Sequence, residues 1–129
     1  MSQESGVVAV VVNVLLVDAE PQIRKLLAHV LMKAGSYHVL TAASGEDALD
    51  LSRNRSERID ILITDIEMGG ISGIQLYTQL AKERPRMAVL FVSAEADVFR
   101  ESYPDWPFLN KPFLPKEFLT KVQEVQSAQ

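Results

Sequence analysis

Short apolar runs at residues 14–17, 59–63 and 88–92, with weaker ones at 37–41 and 108–110, alternate along the chain with stretches of helical period. This alternation constrains the fold more than any other feature. Runs so short, β-branched and apolar on both faces suit strands of a parallel sheet covered on both sides. Between the first two, Ile23, Leu26, Leu27, Val30 and Leu31 recur at i, i+3, i+4, i+7 and i+8, which puts one apolar stripe on a helix. Pro21 suits its first turn and Gly35 its end. The "SGED" at 44–47 opens a second helix through about Asn54 in the manner of a capping box. Ser72 caps a third that ends near Pro85, and Pro115 opens a last one with Phe118, Leu119, Val122 and Val125 inward. Only residues 95–102 read as a poor helix, closed by Pro104 and Pro107. The order is strand then helix, repeated, and right-handed crossovers force a doubly wound α/β sheet.

A chain of 129 residues, 47% hydrophobic and 23% charged, is read as one globular domain over 1–129, with 1–6 a disordered tail. Its net charge of −4 argues against nucleic acid as a partner. Arg53, Arg55 and Arg58 cluster, but Glu57 interrupts them, as at a solvated helix end. With no cysteine there is neither a disulfide nor a thiolate metal site, and His29 and His38 stand alone as surface or filler residues. The run at 7–12 imitates a signal-peptide core, yet "MSQES" carries no base. It is also too short to span a membrane and is broken by Asn13, so a cytoplasmic location and no membrane partner are expected. Whether 7–12 lengthens the first strand or packs elsewhere is open at this level.

Polar residues follow the apolar runs: Asp18 after the first strand, Asp65 after the third, Ser93 after the fourth and Lys111 after the fifth. The carboxyl ends of an open parallel sheet share one edge, where ligands bind. Each residue alone is an ordinary turn or cap residue; their joint placement is not explained by turn chemistry. A carboxylate there can attack phosphorus and become an acyl phosphate. Such transfer needs positioning and charge neutralisation. Asp18, Asp65 and a backbone carbonyl suit Mg²⁺, Lys111 supplies a fixed cation, and the Ser93 hydroxyl can donate to a phosphoryl oxygen.

The segments "LLVDAEPQIR", "IDILITDIEMGGISGIQL", "AVLFVSA" and "FLNKPF" resemble the signature segments of response-regulator receiver domains, from about Asn13 to Val125. The resemblance implies a flavodoxin-like receiver fold, five parallel strands in order 2-1-3-4-5 with helices on both faces. It implies that Asp65 takes a phosphoryl group from a phosphohistidine of a sensor histidine kinase or phosphotransfer protein, for a downstream protein partner that the sequence does not name. It places the family's hydroxyl at Ser93, its lysine at Lys111, its aromatic switch at Phe108 and a cis bond at Lys111-Pro112. Three departures stand out. Ala19 replaces the second residue of the acidic pair, so a weakened Mg²⁺ site is expected, with Asp18, Asp65 and Glu67 as ligands, although Glu67 reads equally as an exposed loop carboxylate. Glu20 is assigned to the first helical turn, where an acid suits the dipole. Gly69 stands where the family usually has proline. The Ser93–Lys111 interval is about one helical turn short, and its "YPDWP" brings Trp106 in either as a partner anchor or as filler.

Two other readings compete. A degenerate receiver would bind partners without phosphorylation, which Ala19, Gly69 and the short fourth helix favour and Asp65, Ser93 and Lys111 oppose. A phosphatase of the haloacid-dehalogenase type would want an aspartate where Glu67 stands, and room for a cap domain.

Overall fold

A computed structural model describes residues 10–128. Strands β1 (Val12–Val17), β2 (Tyr37–Ala42), β3 (Ile61–Asp65), β4 (Ala88–Ser93) and β5 (Phe108–Asn110) form one parallel sheet in order 2-1-3-4-5. Helices α1 (Pro21–Ala34), α2 (Gly45–Arg53), α3 (Gly73–Glu83), α4 (Ala96–Ser102) and α5 (Pro115–Ser127) connect and cover it. This is the flavodoxin-like architecture.

Side chains alternate across each strand, so one strand feeds two cores. In β1, Leu15 and Val17 join Leu62, Leu76, Leu80 and Phe91 under α2, α3 and α4. Val14 and Leu16 join Leu27, Leu31, Ile63, Phe118 and Val122 under α1 and α5. Burying each such aliphatic side chain contributes about 2 kcal/mol, which is why runs apolar on both faces become central strands.

The helix punctuation follows the sequence. Pro21 opens α1, and Gly35, at φ 90°, ends it with its N–H on the Met32 carbonyl. Ser44 Oγ accepts from the Asp47 N–H at 3.0 Å. Ser72 and Gln75 bond reciprocally at 3.1 and 2.8 Å, a full capping box for α3. Two expectations need correction, and two open points are settled. β3 starts at Ile61 rather than 59; Asp60, just before it, is tied twice to Asn13 of β1, its N–H donating to the Asn13 carbonyl at 2.8 Å and its carboxylate accepting the Asn13 N–H at 2.7 Å. Leu26 is 47% exposed, since the stripe on α1 is wider than the sheet it covers. Residues 96–102 do form a helix, short as expected. β1 takes in Val12, while Val10 and Val11 are exposed outside it; the expected tail at 1–6 lies outside the described residues.

The arginine cluster is paired: Arg53 with Glu83 at 2.9 Å, Arg55 with Glu57 at 3.3 Å and Arg58 with Asp60 at 2.6 Å. Arg84 does more. Its guanidinium donates to Ser52 Oγ (2.8 Å), the Ser52 carbonyl (2.9 Å), the Arg55 carbonyl (2.9 Å) and the Glu57 carbonyl (2.7 Å). One side chain therefore ties the end of α3 to the whole α2–β3 connection. Arg84→Lys keeps the charge but not the fork. It is expected to cost about 2 kcal/mol, measured as a lower urea midpoint with an unchanged slope.

Candidate phosphoacceptor site

The sheet order sets β1, β3 and β4 side by side with their carboxyl ends on one edge. Lys111, just past β5, reaches back across that edge. Its Nζ lies 3.2 Å from Asp65 Oδ2, 3.3 Å from Asp18 Oδ2 and 3.9 Å from Glu20 Oε1. The other oxygens are held by the backbone: Glu20 N–H donates to Asp18 Oδ1 at 2.9 Å and Ile66 N–H to Asp65 Oδ1 at 2.8 Å. Each aspartate is split between a peptide donor and one shared ammonium.

Ser93 is buried at the end of β4, one residue beyond Val92, the register partner of Asp65. Its Oγ accepts from the Glu95 N–H at 2.9 Å, which leaves the hydroxyl proton to donate. Its carbonyl accepts the Lys111 N–H at 2.9 Å and so fixes the root of the lysine. The Lys111-Pro112 bond is cis.

Electrostatics follow the packing. Burial raises the Asp65 carboxyl above its ordinary value; Lys111 opposes the rise and the Asp18 carboxylate adds to it. Burial alone would lower the Lys111 ammonium, but Asp65 and Asp18 outweigh it and the net direction is upward.

The departures take definite forms. Ala19 is exposed beside the cluster. Glu67 is exposed and makes no hydrogen bond or ion pair, and among the described residues no group of three or more carboxylate, imidazole or thiolate side chains is arranged to hold a metal. Glu20 is the N-cap of α1, not part of its first turn, and its side chain makes no cap bond but leans toward Lys111. Its place two residues past a strand-end aspartate was the available signal. Gly69 sits at φ 84°, which proline cannot adopt. Glu46 of α2 steadies that loop by accepting the Ile71 N–H at 3.2 Å, a contact between residues 25 apart that nothing local announces.

Phe108 is buried, stacked on Phe91 at 5.3 Å and facing Phe99 at 6.5 Å. Trp106 is half-buried, stacked on Tyr103 at 4.4 Å and Phe91 at 5.2 Å and edge-on to Tyr77 at 5.4 Å. It fills the corner beside the short α4.

The sequence matches the response regulator receiver domain over residues 14–123. It is 35% identical over 121 residues to the sensor kinase CckA of Brucella abortus (strain 2308), covering 91% of this chain and 13% of that protein. It is 30% identical over 118 residues to the alkaline phosphatase synthesis transcriptional regulatory protein PhoP of Bacillus subtilis (strain 168), covering 88% of this chain and 48% of that one. The crystal structure of the response regulator TrrA of Thermotoga maritima superposes with a TM-score of 0.76 at 32% identity, covering 88% of this chain and 98% of that chain. The chain belongs to the response-regulator receiver domains, the modules of two-component phosphorelay signalling, and spans less than half the length of those two longer relatives.

The raised Asp65 carboxyl has a thermodynamic sign. A folded-state value above the unfolded one means that stability is fully present at low pH and lost as pH rises through the folded value. Asp65→Asn removes that loss. Its thermal midpoint is expected to exceed that of the unsubstituted protein at pH 7, with the gap closing toward pH 3; a lower midpoint at pH 7 would contradict the assignment.

Proposed function

We propose that Asp65 accepts a phosphoryl group from a phosphohistidine of a sensor histidine kinase or phosphotransfer protein, and that the altered surface is then read by a downstream protein. The observation that carries this is the Lys111 ammonium held 3.2 Å from Asp65 Oδ2 and 3.3 Å from Asp18 Oδ2. Similarity to a sensor kinase and a transcriptional regulator favours the phosphoacceptor over a phosphorylation-independent interaction module.

In the transfer, an Asp65 carboxylate oxygen forms a bond to phosphorus as the bond from phosphorus to the imidazole nitrogen breaks. The imidazole leaves with its electron pair and takes a proton from water. Lys111 neutralises the phosphoryl oxygens, and the Ser93 hydroxyl donates to one of them. That pull on Ser93 and its loop biases Phe108, which is buried. The chain acts on the cytoplasmic side; among the described residues no helix is long and apolar enough to cross a membrane.

The TrrA structure is in complex with Mg(2+)-BeF. Here the oxygen donors of Asp18 and Asp65 fit a hard divalent cation, and the Glu67 carboxylate is the remaining candidate beside them. When bound, Mg²⁺ supplies charge neutralisation for the phosphoryl oxygens. A carboxylate about 4 Å from a dication is worth about 8 kcal/mol gross at an effective dielectric near 20, much of it offset by dehydration. The alanine at 19 therefore weakens the site without abolishing it.

Incubation with acetyl phosphate and Mg²⁺ is expected to add the mass of one phosphoryl group to the intact protein and none to Asp65→Asn. No adduct would leave the interaction module as the better account, and an adduct on Asp65→Asn would place the acceptor elsewhere. Ala19→Asp is expected to tighten Mg²⁺ binding by about tenfold or more, followed by Trp106 fluorescence or calorimetry, whereas Glu67→Gln separates a ligand from a bystander in the same titration.

A further inference from the structure

Among the described residues, the buried polar side chains are Asp18, Ser52, Thr64 and Ser93. Asp18 and Ser93 belong to the site, and Ser52 receives Arg84. Thr64 is unaccounted for. It is fully buried in β3, on the face shared with Leu62 and Ile66, where a hydroxyl is costly unless bonded.

Its Oγ1 donates to the carbonyl of Asp65 at 2.7 Å and lies 4.0 Å from Met68 Sδ. That carbonyl belongs to the peptide unit joining Asp65 to Ile66, and the N–H of the same unit donates to Asp65 Oδ1 at 2.8 Å. A peptide unit is planar, so holding its C=O sets the direction of its N–H. Gly73 presses on the same carbonyl from α3: a Cβ there would collide with the Asp65 oxygen and come within 3.0 Å of Thr64 Oγ1. The Gly73 N–H closes the loop onto the Ile66 carbonyl at 2.8 Å.

We propose that Thr64 is a positioning residue for phosphoryl transfer: its hydroxyl fixes the Asp65–Ile66 peptide plane, so that Ile66 N–H occupies Oδ1 and Oδ2 is presented to Lys111 and the incoming phosphorus. The proposal rests on Asp65 being the acceptor. Thr64 touches no substrate; it acts through the peptide it holds.

Two substitutions separate hydrogen bonding from packing. Thr64→Val keeps the volume and loses the donor, whereas Thr64→Ser keeps the donor and loses a methyl group. With acetyl phosphate and Mg²⁺, Thr64→Val is expected to slow adduct formation about five- to tenfold, the worth of one hydrogen bond, and Thr64→Ser to stay within about twofold of the unsubstituted protein. A residue needed only for packing gives the reverse order, because serine leaves the gap. The reverse order, or equal rates, overturns the proposal. Circular dichroism melts confirm that each variant is folded. Hydrogen exchange of the Ile66 amide needs no adduct and is expected to quicken about five- to tenfold in Thr64→Val alone; unchanged exchange also overturns the proposal. Failure of the acceptor reading shows separately, as no adduct on the unsubstituted protein or one surviving in Asp65→Asn.

Discussion

The arrangement depends on one ammonium group shared by two aspartates from different strands. Lys111 Nζ stands within 3.3 Å of both Asp18 and Asp65, which are 47 residues apart, and lies 46 residues beyond Asp65 itself. Only a parallel sheet with its carboxyl ends on a common edge closes such intervals, and only strands apolar on both faces sit in the middle of that sheet. Two acids of like charge, Asp18 buried and Asp65 partly so, would otherwise repel at short range. The lysine keeps the pair compatible with a compact fold. It also holds in one place the two oxygens that face away from the backbone donors.

Around this fixed point the chain is braced locally. The loop after Asp65 takes a path that needs glycine at position 69, and it is braced by the Glu46 carboxylate and by the Gly73 amide. The fourth helix has seven residues, and the corner it leaves is filled by Tyr103, Trp106, Phe91 and Tyr77 in ring-to-ring contact. Aromatic rings contribute large buried areas and prefer these stacked and edge-on geometries, so side chains take over part of a role that a helix would otherwise fill.

Much of this was legible in the residues. The strand-end positions of Asp18, Asp65, Ser93 and Lys111 follow from apolar period alone, and their convergence follows from the handedness of crossovers. The helix starts at Pro21, Ser44, Ser72 and Pro115 were readable because caps and prolines act within a few residues. Other features were hidden because they depend on distant backbone. The Asp60 carboxylate answers an amide in β1, and the Arg84 fork answers carbonyls some 30 residues earlier. Glu20 was misplaced because a helix dipole argument cannot see a lysine arriving from the other end of the chain. Thr64 carried no signal at all: a threonine inside a β-rich run is the most ordinary residue a strand can have.

Ala19 also bears on the charge balance of the crevice. Asp18, Glu20 and Asp65 set three negative charges against the single positive charge of Lys111. An acid at position 19 would add a fourth. Phosphoryl donors arrive as dianions, and like charges at short range in a partly buried crevice are costly. The alanine therefore leaves the crevice one negative charge lighter, and a dianion approaching it would meet less repulsion.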